Sequence, residues 1–194
     1  MKRKDSREKI LKAAYERFGY YGFGKTTMVE IAGDCGMSAA NIYRHFRGKD
    51  EIIAELAREI FSSQEKKLAK IVVSQFPSCS EKMQVFFQEA LVLTYQYNTE
   101  QPRMKEMVDY ICQERFDLVR SHKENKRGFI ETILRQGCQA GEFSLDNPEE
   151  MSIFFKQATI MFHSPLFMNM CGLEELQYSC RNIVQLLLAA ITVK

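Results

Sequence analysis

The side chains best suited to recognition chemistry crowd into one short stretch, Ser38-Ala39-Ala40-Asn41-Ile42-Tyr43-Arg44-His45-Phe46-Arg47-Gly48-Lys49. Ser38 is a natural helix cap, because its hydroxyl can satisfy a free amide at a helix start. The small Ala39 and Ala40 let a backbone approach a partner closely and offer methyls to a thymine methyl, while Asn41 can hydrogen-bond a base edge. Tyr43, His45 and Lys49 carry donors suited to phosphate oxygens, contacts that fix position without reading sequence. This is the chemistry of gripping a nucleic acid rather than of making or breaking bonds.

Other chemistries find little to work with. The three histidines, His45, His122 and His163, stand in no motif. There is no phosphate loop, nucleophile elbow or HExxH, so no enzyme and no cofactor are expected. The six cysteines, Cys35, Cys79, Cys112, Cys138, Cys171 and Cys180, show neither CxxC nor paired-His spacing, which argues against a metal site. A thiol sensor is the alternative way to use them: Cys35, Cys112 or Cys138 would respond to oxidants if their pKa values were depressed, against the ordinary reading of buried structural cysteine. The start, MKRKDSREK, is charged and has no apolar stretch behind it, so no signal peptide is expected. The longest apolar segment, residues 183–193, is shorter than the ~20 residues a membrane span needs. A cytoplasmic protein with reduced thiols and no membrane partner is the expectation.

The elements that must position the recognition residues follow from periodicity and punctuation. Ile10, Leu11, Ala14 and Phe18 recur at helical spacing from residue 7 to 21, and Gly19 and Gly22 then interrupt the pattern. Thr27 with Glu30 three residues on is a capping box, opening a short helix to about Cys35 with Val29, Ile31 and Ala32 turned inward. Gly36 stops it. Ser38 caps the next helix, on which Ile42 and Phe46 share the inward face. Gly48 breaks the chain before a long helix carrying Ile52, Ile53, Leu56 and Ile60. Two short helices joined by a tight glycine turn are what a major-groove reader needs. Charge agrees. Residues 1–50 hold eleven Lys/Arg against six Asp/Glu, so a chain of net charge +2 divides into a basic head and an acidic body. Lys4, Arg7 and Lys9 read as a solvated face or a loosely held arm.

The run from Phe18 through Thr26-Thr27, Ile31-Ala32, Gly36-Met37-Ser38, Tyr43-Arg44-His45-Phe46 and Lys49-Asp50 resembles the DNA-binding domain of the TetR family over residues 7–53. Met37 replaces the usual Val, and Cys35 stands where Ala is frequent. The resemblance implies phosphate contacts from Thr27, Tyr43 and Lys49. It also implies a reading surface made of Ser38, Ala39, Ala40, Asn41, Arg44 and His45. Its implied fold is all-α, about nine helices: a three-helix DNA-binding domain at 1–50 joined by a long helix to a helical ligand-binding and dimerisation domain at 51–194.

The body is helical in texture throughout. Ser80 caps a helix with Met83, Phe86, Phe87, Ala90 and Leu91. Pro102 marks another start; a further helix runs from about residue 127 to 140; Asn147-Pro148-Glu149-Glu150 begins the next, bent or stopped by Pro165. The last, from about residue 174 to 191, is apolar on more than one face and therefore must be buried. The resemblance implies that the last two helices pair with those of a second copy, through Phe154, Phe162, Ile183, Leu187 and Ile191. It also implies an apolar or amphipathic effector, with Phe86, Phe87, Met104, Met107, Tyr110, Phe129 and Phe155 as candidate pocket residues. The expected function is a dimeric repressor released from a palindromic operator by that effector.

Overall fold

The computed structural model describes residues 3–99 and 103–193, with the side chains of Arg3, Lys4, Asn98, Thr99 and Met104 outside the description. Among the described residues it is all-helical: α1 Arg3–Tyr21, α2 Met28–Asp34, α3 Ala39–Tyr43, α4 Lys49–Val73, α5 Cys79–Thr99, α6 Met104–Glu114, α7 Phe116–Gln139, α8 Pro148–Ala158 and α9 Leu173–Ala189, with single 3-10 turns at Ile160–Phe162 and Pro165–Phe167. None of these helices is long and apolar enough to cross a membrane. The helix start expected at Pro102 lies outside the described residues.

The chain divides into two compact units, one of residues 1–62 and 100–120 and one of residues 63–99 and 121–194. The division differs from the expected boundary at residue 50. The first unit keeps the leading part of α4 and takes back α6, because Met107, Ile111 and Val119 bury themselves with Ile10, Phe18, Ile31, Ile42, Phe46 and Ile53. Two polar ties fasten α6 to the turn after α1. Arg103 donates to the Tyr21 carbonyl at 2.8 Å, and Glu106 accepts from Gly24 N–H at 3.2 Å. Gly22 supplies the left-handed φ of +91° there, and a Cβ, 2.7 Å from the Glu106 carboxylate, would push that side chain aside.

Within the first unit, the inward residues of α2 are Met28, Ile31 and Ala32, whereas Val29, expected inside, is 62% exposed. The Thr27 cap sets this phase: positions 28, 31, 32 and 35 form one face, and 29 lies about 100° from 28.

The second unit packs α9 along α5. The α9 strip Leu176, Cys180, Val184 and Leu188 is buried, and Gln84 and Gln88 of α5 donate to the carbonyls of Arg181 and Gln177 at 3.1 and 2.9 Å. The other side of α9 is open, with Leu186 72% and Tyr178 69% exposed, so the helix is not buried all round within one chain. Gly137 lets α7 meet the turn that follows it, since a Cβ would fall 2.1 Å from the Phe143 ring. Phe143 in turn forms an isolated antiparallel bridge with Thr192. α8 ends at Ala158, well before Pro165: the Thr159 hydroxyl donates back to the Phe155 carbonyl at 2.6 Å and the chain tightens into a 3-10 turn. α7 begins at Phe116, eleven residues ahead of the start that the apolar pattern suggested. Its inward positions 119, 122, 126 and 130 hold Val119, His122, Lys126 and Ile130, all buried. A histidine and a lysine on the core face hide the helix from a reading of hydrophobic periodicity.

Candidate nucleic-acid interface and interior cavity

The candidate recognition surface is built from two capped helices joined by a left-handed glycine. The expected capping box is present. Thr27 Oγ1 accepts from Glu30 N–H at 3.3 Å, and the Glu30 carboxylate accepts from Thr27 N–H at 2.8 Å. The Thr27 hydroxyl proton is also given to Glu30, at 2.8 Å, so this side chain meets a phosphate only by releasing that bond. The two bonds from Thr27, helped by Arg17, hold the Glu30 carboxyl below the usual carboxylate range. Gly36 at φ +63° turns the chain, and Met37 N–H closes on the Ala32 carbonyl at 2.8 Å. Ser38 then caps α3 by accepting from Asn41 N–H at 3.2 Å. Among the described residues its own hydroxyl proton has no acceptor.

Ile42 and Phe46 are buried and anchor α3, as their four-residue spacing predicted. That leaves Ser38, Ala40 and Arg44 exposed, Ala39 and Asn41 half-exposed, and Tyr43 52% exposed. His45 is half-buried, with Nδ1 enclosed and unpartnered among the described residues. Lys49 is partly committed: its ammonium donates to the Phe23 carbonyl at 2.8 Å, lies 3.5 Å from that of Gly24, and sits 4.6 Å over the Phe23 ring. One of its three N–H bonds remains for a further acceptor.

Charge on this unit is selective. Arg17 is neutralised by Asp34 at 2.6 Å and Glu30 at 3.2 Å. Lys25, Arg44 and Arg47 are exposed and, among the described residues, make no ion pair. Arg7 is half-buried and Lys9 is exposed, and both are tethered rather than loosely held. Arg7 donates to the His45 carbonyl at 2.7 Å, pairs with Glu55 at 2.9 Å and lies 4.2 Å over the Phe46 ring. Lys9 donates to the Cys35 carbonyl at 2.7 Å. Both brace the carboxyl ends of the two short helices, where cations are favoured. The Lys4 side chain lies outside the described residues.

In the second unit a cavity of about 240 Å³ is walled by Phe86, Phe87, Ala90, Ile130 and Ile160, with Lys123, Lys126, Lys156, Gln157 and His163 among the apolar groups. Of the residues expected to line a pocket, Phe86 and Phe87 do so. Phe155 backs Phe87, stacked at 6.2 Å, and Phe129 stands edge-on to Phe86 at 6.4 Å. Met107 and Tyr110 are elsewhere. Both pack on the core of the first unit, where burial and then a hydrogen bond to Asp50 push the Tyr110 phenol up to about 12. Met104 opens α6, with its side chain outside the described residues. The cationic lining escaped the sequence reading, which followed aromatic and Met residues; charged side chains at inward helical positions were the available signal.

The residues expected at a dimer interface also separate. Phe162 and Ile191 are buried in the chain's own core, so neither can face a second copy; Ile191 is held by its carbonyl, which accepts from Ser144 N–H at 2.9 Å. Ile183 and Leu187 are half-buried, and Phe154 is 50% exposed. The oxidation alternative finds no support at the buried thiols. Burial pushes Cys35 up, and Cys180 to about 12, the reverse of what a reactive thiolate requires.

Comparison with known proteins agrees with this architecture. The family model described as "Bacterial regulatory proteins, tetR family" matches residues 10–56, and "Tetracyclin repressor-like, C-terminal domain" matches residues 79–184. The HTH-type transcriptional repressor KstR2 of Mycolicibacterium smegmatis is 23% identical over 154 residues, 72% of this chain and 68% of that protein. A TetR-family regulator of Mesorhizobium loti, 18% identical, superposes over 100% of both chains with a TM-score of 0.76. The FadR repressor of Thermus thermophilus, solved in complex with lauroyl-CoA, is 16% identical and superposes with a TM-score of 0.61 over 92% of this chain and 93% of its own. With matches to both halves of its architecture, the chain belongs to the TetR family of bacterial DNA-binding transcriptional regulators.

Proposed function

We propose that this regulator is a dimeric repressor that holds a palindromic operator and lets go when a small amphipathic molecule occupies the cavity of its second unit. The carrying observation is the division of labour on α3. Ile42 and Phe46 fix the helix from inside, while Ala40, Tyr43 and Arg44 stand in solvent beside the half-exposed Ala39 and Asn41. In this reading Ser38, Ala39, Ala40, Asn41, Arg44 and His45 line the surface that meets base edges, and Tyr43 and Lys49 meet phosphate, with Thr27 joining once its hydroxyl leaves Glu30. Operator binding requires residence beside the chromosome, in the cytoplasm.

Self-association is supported by apolar surface that one chain leaves uncovered. Leu186 and Tyr178 of α9 and Ile153 and Phe154 of α8 are all exposed, on helices that a soluble protein would cover by pairing. Two copies would set their recognition helices ~34–36 Å apart, one turn of DNA. The interior cavity supports the effector. Ligand and operator must then weaken each other by the same factor.

The test is a gel shift with the chain's own promoter region at rising salt, with and without ligand. Affinity that falls steeply with salt and is lost on adding a cavity ligand supports the reading. Salt-independent binding, or a ligand-saturated protein with undiminished operator affinity, contradicts it.

A further inference from the structure

The cavity of the second unit contains a charge that the protein itself leaves unsatisfied. Lys126 sits on the inward face of α7, 8% exposed, and lines the cavity beside Phe86, Phe87 and Ile130. Among the described residues its ammonium has no hydrogen-bond acceptor and no ion-pair partner. Glu65 acts on it only through space. The Glu65 oxygens are engaged with His122 Nδ1 at 2.7 Å and Asn125 Nδ2 at 3.0 Å, and among the described residues neither forms a hydrogen bond or ion pair with the Lys126 ammonium. The other cations differ: Lys156 is paired with Glu124 at 2.9 Å, and Lys123 is only half-buried.

An isolated ammonium in an apolar wall is costly unless something pairs with it. Burial lowers the Lys126 pKa to about 8, which still leaves it largely protonated at pH 7. Its field reaches the neighbours: after burial, Lys126 is the next cause holding both His122 and His163 down to about 3. The two imidazoles are therefore neutral, and nothing in the lining supplies a counter-charge. Apart from Gln157 the remaining lining is aromatic and aliphatic, and the cavity of about 240 Å³ takes about ten non-hydrogen atoms at interior packing density.

We propose that the cavity binds an amphipathic anion, a carboxylate or phosphate on an apolar body, with Lys126 pairing with the charged group and Phe86 and Phe87 walling the apolar part. The proposal rests on the effector reading above and specifies its chemistry. A neutral apolar molecule would leave the ammonium as unsatisfied as before, and a cation would be repelled.

The experiment is calorimetric titration of the full chain with four compounds of equal length: octanoate, octyl phosphate, octan-1-ol and octylamine. At least one of the two anions should bind about tenfold or more tighter than octanol, and octylamine should not bind; which anion wins identifies the headgroup. Lys126→Met keeps the length and apolar stem of the side chain, and should lose most of the anion affinity and the discrimination against octanol. Circular dichroism checks that the variant is folded. Because the substitution removes a buried charge, its Tm should not fall. Should Lys126→Met prove unfolded, the four-compound comparison on the native chain decides alone.

Octanol binding as tightly as octanoate and octyl phosphate overturns the proposal, as does a variant that retains anion affinity, in which case the lysine is the counter-charge of Glu65. Operator gel shifts on the same samples separate the two levels. Octanol that binds equally and releases DNA leaves the effector reading standing without its anion. If no octyl compound binds, the anion proposal falls, and a thermal-shift screen of other compounds then judges the effector reading by itself.

Discussion

The candidate recognition helix and the cavity of the second unit both hold polar groups that have no partner among the described residues, in opposite settings. On α3 the unspent groups, the Ser38 hydroxyl, the Asn41 amide and the Arg44 guanidinium, stand in or beside water, where waiting for DNA costs little. In the second unit Lys126 waits inside an apolar wall, where an unpaired charge is expensive. An exposed site needs only a rigid foundation, which Ile42, Phe46 and Arg7 provide. An interior site must place its unsatisfied group on an element stable enough to carry it, here the 24-residue α7. The first kind can stand ready in water at little cost until its partner arrives. The second kind encodes whichever partner a given regulator answers to.

Removing the foundation should have the largest effect. Phe46→Ala empties a position 1% exposed in the first unit's core and should cost about 3–5 kcal/mol, seen as a lower denaturation midpoint together with loss of operator binding. An unchanged midpoint would mean that α3 is held by something other than its buried face. Next is Gly137→Ala, where the added methyl meets the Phe143 ring; a loss of about 1–3 kcal/mol is expected from overpacking, with operator affinity per folded molecule retained. A loss of DNA binding as large as that of Phe46→Ala would blur the contrast between the regions.

The buried imidazoles sharpen the contrast through pH. His122 and His163 are held near 3, against 6.5 when unfolded. The unfolded chain therefore binds more protons between these values, so stability contributed by the neutral rings is complete above about pH 6.5 and is lost as pH falls towards 3. His163→Gln should flatten the Tm profile in that window, while Tyr43→Ala leaves it unchanged. The smallest effect is at the exposed cap: Thr27→Ala should cost about 1 kcal/mol, with a chemical melt as the readout.

What could be read from the sequence divides along the same line. The local frame of α2 and α3 was legible, because glycine punctuation, the Thr27-to-Glu30 box, the Ser38 cap and the Ile42/Phe46 spacing are local signals within a few residues of one another. The return of α6 to the first unit was not, because Met107 and Ile111 look like any helical core pair until their partners are known. The cavity was half legible. Phe86 and Phe87 stood out as aromatics, but Lys126 carried no signal and His163 stood in no motif, and inward polar side chains at positions 122 and 126 erased the apolar rhythm of early α7. Arg7 and Lys9 read as free basic charge because carbonyl acceptors 26 to 38 residues away leave no mark in the local sequence.

Base preference tests the central claim most directly, that the outward face of α3 reads DNA while its neighbours hold phosphate. The native chain, Asn41→Ala and Tyr43→Ala should each be selected against a randomised operator library and their preferred sequences compared. Asn41→Ala should change preference at one position of each half-site, and Tyr43→Ala should weaken every sequence alike. Identical preferences for the native chain and Asn41→Ala, or a base-specific change in Tyr43→Ala, would contradict it.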